Sequence, residues 1–386
     1  MKSNYRRLGD YIEPVKVRNS DLKAKDLLGI NINKHFMPSV ANIVGTDLSN
    51  YKLVEKNQFA CNRMHVGRDY RIPIAVSESD EPFMVSPAYD VFEIKKPTEL
   101  LPEYLMMWFE RSEFDRNAWF YTDADVRGGL AWQAFEDMQL PVPPIDKQRE
   151  IVKEYNTIQN RIALNQQLIQ KLEETAQAIY NTYLNNEDDK ESHRLGDLME
   201  IKGGFSYNSV DLGKGSTYLL GMGCVSFSDR FVEEGMRLYS DNIPEQHIVK
   251  PKEIIIATRQ QSENMPILGC PAMIPPNLDN KKLVIASNLY RVVNKSKLSN
   301  EILYQIMKSP NYQEHIKLHT KGTTVGMITK DAIEDYTFEA PSIEYLYSVE
   351  SNITKIVDNV FFKRTENHKL TEMKGLLLSR LAGVEL

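Results

Sequence analysis

The stretch from Ile145 to Leu184 constrains this chain more than any other. It contains neither Gly nor Pro, and its apolar positions step by four and three: Ile151, Tyr155, Ile158, Ile162, Ile169, Leu172, Ala176, Ile179, Tyr183. One polar residue, Asn165, falls on the same stripe. A heptad seam sustained this far predicts a long coiled-coil helix. Pro143 and Pro144 stiffen the approach to it, and Asp146 is placed to cap its first turn. At 1.5 Å per residue the helix spans roughly 60 Å. A stripe of that length needs a partner.

The partner comes from a duplication. Arg7-Leu8-Gly9-Asp10 returns as Arg194-Leu195-Gly196-Asp197, an offset of 187. Further on the offset is 198: Glu103-Tyr104-Leu105 matches Glu301-Ile302-Leu303, Ala134-Phe135-Glu136-Asp137 matches Ala332-Ile333-Glu334-Asp335, and Leu140–Ile145 matches Phe338–Ile343. The change of offset places a net insertion inside the second globular part. Each copy then runs into a long helix. The second starts near Ser342 and reaches about Leu381, with Leu346, Val349, Ile353, Ile356, Val360, Lys363, Asn367, Leu370, Lys374, Leu377 and Leu381 on its stripe. A chain ordered globule, helix, globule, helix lets the helices pair antiparallel about a pseudo-twofold axis, with a globule at each end. Asn165 and Asn367 both lie near mid-helix, where a shared polar layer would fix the register.

Between these blocks the pattern is short strands bounded by Asn, Gly, Pro and Ser, such as Phe59–Cys61, Ile72–Val76, Tyr89–Ile94, Glu253–Thr258 and Leu289–Val293. The expected fold is α+β: globular domains at 1–144 and 186–341, and long helices at 145–185 and 342–386, related by the internal repeat. No long apolar run occurs and the first residues, MKSNYRRLGD, do not read as a secretion signal, so a cytoplasmic protein with no membrane association is expected. The three cysteines are scattered, which fits a reducing compartment. The formal net charge is −6, so binding to an acidic polymer has to rest on local basic patches.

The duplicated RLGD start, the Pro-rich strand leading into a long helix and the antiparallel pair resemble the specificity subunit of type I restriction–modification systems. The block that carries most of the resemblance is Leu140-Pro141-Val142-Pro143-Pro144-Ile145-Asp146-Lys147-Gln148-Arg149-Glu150-Ile151-Val152. In the second copy Ser342 replaces Pro144 and Leu346 replaces Gln148. Lys321-Gly322-Thr323-Thr324 before the second helix is similar to the family's approach to that helix. The resemblance implies two target-recognition domains, each reading one half of a split, non-palindromic sequence in double-stranded DNA. It further implies helices that space the halves and dock two methyltransferase subunits, restriction motor subunits outside them, and a chain with no catalysis and no cofactor of its own.

Direct readout requires Arg, Lys, Asn and Gln at base edges. The richest loop of the first copy supplies Asn62, Arg63, Arg68, Tyr70 and Arg71. Aligning the preceding strands matches it to Arg259, Gln260 and Gln261 in the second. Arg127, Lys281, Lys282 and Lys321 are further candidates, some beside glycines that let backbone N–H groups approach phosphates. Solvated loops are the competing reading for each. The helix seam is assigned to Ile151, Tyr155, Ile158, Ile162, Asn165, Ile169, Leu172, Ile353, Ile356, Val360, Asn367, Leu370 and Leu377. His315 and His319 have metal-ligand spacing but no evident third ligand, and read as exposed histidines. Glu93, with Asp69 or Asp80, has a flavour of a Mg²⁺ nuclease, but the repeat offers no matching carboxylate, so a structural role is favoured. A protein-interaction scaffold that never touches DNA is the remaining alternative.

Overall fold

The computed structural model describes residues 5–41, 45–64, 66–122, 128–185, 190–260, 267–322 and 325–383. The chain divides into two compact units, Met1–Ile162 with Lys369–Leu386, and Ala163–His368. Each is α+β. The first long helix, Ile145–Asn185, and the second, Ile343–Arg380, each contribute to both units.

In the first unit an antiparallel sheet runs in the order Ile12–Val15, Asp90–Ile94, Phe59–Cys61, Ile74–Val76. Phe59 and Phe92 stack across it with centroids 5.0 Å apart, and Phe109 and Phe135 close over them. Two short helices, Pro102–Phe109 and Ser112–Phe120, supply the cover. Pro102 begins the first, where its missing N–H costs nothing. A buried ion pair, Lys34 to Asp115 at 2.8 Å, ties the second helix to the loop after Leu28–Ile30. Burial lowers the Lys34 pKa against the opposing pull of Asp115.

The repeated RLGD block is a clasp. Residues Tyr5–Arg7 pair antiparallel with Gln139–Pro141, the strand leading into the long helix. Arg7 Nε donates to Asp137 Oδ1 at 2.6 Å, and Arg194 Nη2 does the same to Asp335 Oδ1 at 2.6 Å in the second unit. In both copies the arginine folds back over the glycine. A Cβ on Gly9 would stand 2.5 Å from Arg7 Nη1, and one on Gly196 2.5 Å from Arg194 Nη1. A larger residue at either glycine would displace the arginine from this position.

The second unit repeats the sheet strand for strand: Met199–Gly203, Leu289–Asn294, Ile254–Ala257, Pro271–Met273. It also carries a second four-stranded sheet, Arg237–Tyr239, Leu212–Leu220, Leu283–Ile285, Ile248–Val249, which contains a parallel pair. The first unit has two-stranded pairs there, Leu28–Ile30 with Phe36–Pro38 and Lys52–Val54 with Phe83–Val85. This is where the extra residues of the second copy go.

The long helices pair antiparallel within each unit. In the second unit Asn165 Nδ2 donates to Asn367 Oδ1 at 2.9 Å, Arg364 Nη2 to Glu173 Oε1 at 2.8 Å, and the Tyr183 hydroxyl to Ser342 O at 3.3 Å. Partners thus descend along one helix as they ascend along the other. Asn165 is 3% exposed, so its amide bond replaces water in the seam. Ile353 and Val360 are buried, and Ile169, Leu172 and Ile356 are half-buried. In the first unit Ile151 and Tyr155 are buried in a core that also takes in Leu377, Leu378 and Leu381, while Ile158, Ile162 and Leu370 are half-buried. Lys374, polar on its stripe, lies 5.2 Å over the Tyr155 ring and 3.3 Å from Glu110. Burial and Glu110 raise the Tyr155 pKa.

The expected cap at Asp146 is corrected. The helix starts at Ile145, and the Pro144 carbonyl accepts Lys147 N and Gln148 N at 2.9 and 3.1 Å. Asp146 lies inside the first turn and bonds Arg149 at 2.6 Å. Its charge there still complements the helix dipole.

Candidate nucleic-acid interface

The loop after Phe59–Cys61 leaves the sheet at Asn62, whose Oδ1 accepts from Met64 N at 3.1 Å and tightens the turn. Arg63 then turns inward. Its Nε donates to Asp90 Oδ2 at 2.7 Å, Nη1 donates to Leu130 O, and the guanidinium lies 5.3 Å over the Trp132 ring. Its side chain is 18% exposed. Two of its three nitrogens are engaged within the fold, and they fasten the loop.

The short turn Val66–Asp69 buries Val66 and packs Gly67 on Gly128, with Gly67 N donating to Gly128 O at 2.7 Å. A Cβ on Gly67 would meet Gly128 Cα at 2.7 Å, so this crossing requires two glycines. The turn leaves Arg68, Tyr70 and Arg71 exposed. Arg68 bonds Asp69 through two nitrogens, at 2.7 and 3.0 Å. Tyr70, in the left-handed region at φ 57°, lies against Trp119 with centroids 5.3 Å apart. Arg127 lies outside the described residues.

In the second unit the matching position behaves differently. Cys61 faces Asp90 across the sheet, whereas Ala257 faces Leu289. The carboxylate that holds Arg63 is absent from the corresponding place, and Arg259 is exposed. Arg259-Gln260 pairs with Gly326-Met327, and Met327 also bridges Lys321. Arg259 and Lys321 therefore flank the same residue, both exposed, with Met327 43% exposed between them. Lys330 lies 5.9 Å over the neighbouring Tyr290 ring, whose hydroxyl donates to Ile328 O. Burial raises the Tyr290 pKa, with Arg259 pulling the other way. Gln261 lies outside the described residues.

Lys281 and Lys282 do not join this group. They adjoin the extra sheet, where Lys281 covers the Tyr218 ring at 5.0 Å and Lys282 Nζ donates to Asp241 O at 3.3 Å. The other constellations disperse as well. Glu93 accepts from Gln58 at 2.9 Å, and Asp80 pairs with Lys56 and Asp69 with Arg68. His315 is half-buried rather than exposed, with Nε2 2.7 Å from Ala332 O and its ring stacked on His319. Among the described residues no three metal-ligating side chains gather.

Sequence reasoning missed the exposed apolar group at the end of Ser112–Phe120: Trp119, Phe120 and Tyr121. Three consecutive aromatics after a polar helix were the available signal. It also missed why Gln148 matters. That amide is fully buried, accepts Leu101 N at 2.9 Å and donates to Glu99 O and Pro143 O at 2.7 and 2.8 Å.

No family model matches the chain. It is similar to the type I restriction enzyme HindI specificity subunit of Haemophilus influenzae, 18% identical over 92% of each chain. Its structure superposes on the crystal structure of the type I restriction–modification S subunit from M. genitalium with a TM-score of 0.60 and 12% identity, covering 98% of this chain and 95% of that one. The fold is that of a type I specificity subunit. Among the described residues no helix is long and apolar enough to cross a membrane.

Proposed function

We propose that this chain is the DNA-sequence-specificity subunit of a type I restriction–modification system, resident in the cytoplasm and without catalytic chemistry of its own. Each unit reads one half of a bipartite, non-palindromic site in double-stranded DNA, and the long helices dock two methyltransferase subunits. Motor–nuclease subunits join that complex from outside. The observation that carries this reading is similarity to a specificity subunit over 92% of both chains. The repeat adds support. Two sheets of one topology carry unlike exposed residues, Arg68, Tyr70 and Arg71 in one and Arg259 and Lys321 in the other. Unlike readers on like scaffolds suit unlike half-sites.

Reconstitution tests it. The partner methyltransferase, purified with and without this chain, should transfer methyl groups to DNA when the chain is present. Equal transfer in its absence contradicts the proposal. Methyl transfer that needs the chain, with no DNA contact from it, would favour the protein-interaction scaffold.

A further inference from the structure

The two units differ in most exposed loops, yet they share one feature that folding does not require. The second short helix of the first unit, Ser112–Phe120, ends on Phe120, which is 75% exposed. Its counterpart, Pro310–Leu318, is displaced by 198 in sequence and ends on Leu318, 77% exposed. Single exposed apolar residues are ordinary on a protein surface. Recurrence at the last position of the same helix, in copies that have diverged nearly everywhere else outside the core, is not.

Cations stand near both tips in a chain of net charge −6, interleaved with carboxylates such as Glu113 and Glu314. In the first unit Arg116, 3.2 Å from Glu113, lies one turn before Phe120, and Trp119 beside it lies against Tyr70, on the loop that carries Arg71 and the Asp69-paired Arg68. In the second, Lys317 precedes Leu318, with Glu314 one turn before it, and Lys321 follows with its link through Met327 to Arg259. Each tip thus adjoins the loop that leaves the matching sheet strand. An acidic or apolar protein surface would account for one part of this chemistry. A nucleic acid accounts for both, with phosphates for the cations and base faces for the apolar end.

We infer that Phe120 and Leu318 are apolar wedges, each pressed into a base step of the half-site its unit reads, unstacking that step while the flanking cations hold the phosphates. Inserted Phe and Leu side chains distort duplexes in this way. The inference rests on the DNA-reading function proposed above.

The test uses the assembled complex with its methyltransferase and duplexes carrying 2-aminopurine at successive positions of the methylated site. The intact complex should raise the fluorescence several-fold at one step in each half-site. Phe120→Ala should abolish the rise in one half-site, leave the other unchanged and weaken binding tenfold or more. Leu318→Ala should do the converse, and Phe120→Leu should retain most of the signal. Thermal unfolding confirms that each variant is folded. Unchanged fluorescence in both alanine variants overturns the wedge, as does weaker binding without any fluorescence rise in the intact complex. Loss of methyltransferase from the complex would instead make the tips a protein contact. If the intact complex shows no sequence-specific binding at all, the DNA-reading function itself fails.

Discussion

In the first unit the joint between globule and long helix is closed by the Gln148 amide, which bonds Leu101 N at the start of one short helix and two carbonyls beside it. In the second unit the same place on the long helix holds Leu346, fully buried in the apolar core. The orphan amide equivalent to Leu101 N is Ser299 N, and it is satisfied by Glu350 Oε1 at 2.7 Å, one turn further along the helix. The joint has one unavoidable requirement, a partner for a helix N-terminal N–H. One copy meets it from the core-facing position; the other fills that position with hydrocarbon and meets it from the rim. A motif search sees a lost glutamine where the structure keeps the hydrogen bond.

That contrast can be broken by substitution. The largest effect should come from Leu346→Ala, about 2–5 kcal/mol from lost burial and the cavity left behind, read by denaturant unfolding. Gln148→Leu, which copies the second joint incompletely, should cost about 1–3 kcal/mol by stranding buried backbone groups. Adding Val152→Glu, the position equivalent to Glu350, should recover part of that loss. If Gln148→Leu alone is neutral, the two joints are not built on the same requirement.

The loops offer a second contrast. Arg259→Ala should weaken one half-site by about 1–3 kcal/mol if the side chain meets a base and leave stability almost unchanged. Arg63→Ala should instead lower stability, because Asp90 and Leu130 O lose their donor. DNA-binding titrations alongside melting curves separate the two, and identical behaviour would erase the distinction drawn from Asp90 and Leu289. In the seam, Asn165→Leu should cost about 1–3 kcal/mol by removing the hydrogen bond that the Asn165 amide donates to Asn367. Asn165→Leu with Asn367→Leu together should be close to neutral. A single variant as stable as the double would show that the pair does not matter.

The smallest effect concerns the clasp. The Arg7 guanidinium holds the Asp137 carboxyl below its ordinary pKa. A depressed carboxylate contributes stability at neutral pH and loses it as pH falls through the lowered value. Asp137→Asn should therefore slightly flatten the acid limb of the stability–pH curve. A curve superimposable on that of the unaltered protein would show that this exposed pair contributes nothing.

The long helices, the repeat and most strands were legible because each follows from a local period: heptad spacing, or alternation between turn residues. The Asn165–Asn367 layer was legible for the same reason, since both residues fall on stripes. The fate of Arg63 was not, because it depends on Asp90, which faces the end of its strand from a neighbouring strand. Nothing near Arg63 in sequence announces that partner, and the matching Leu289 is equally silent about the exposure of Arg259. The Lys34–Asp115 pair was hidden likewise. The exposed tips at Phe120 and Leu318 needed both the repeat and the burial pattern. Either alone leaves them as unremarked hydrophobics.

The central claim is that two like scaffolds read two unlike half-sites. Mapping every methylated adenine in DNA treated with the reconstituted complex tests it most directly. The expected result is one sequence in two unlike parts, separated by a gap of constant length whose bases are not read. Methylation confined to a continuous palindrome, or to two identical half-sites, would contradict it.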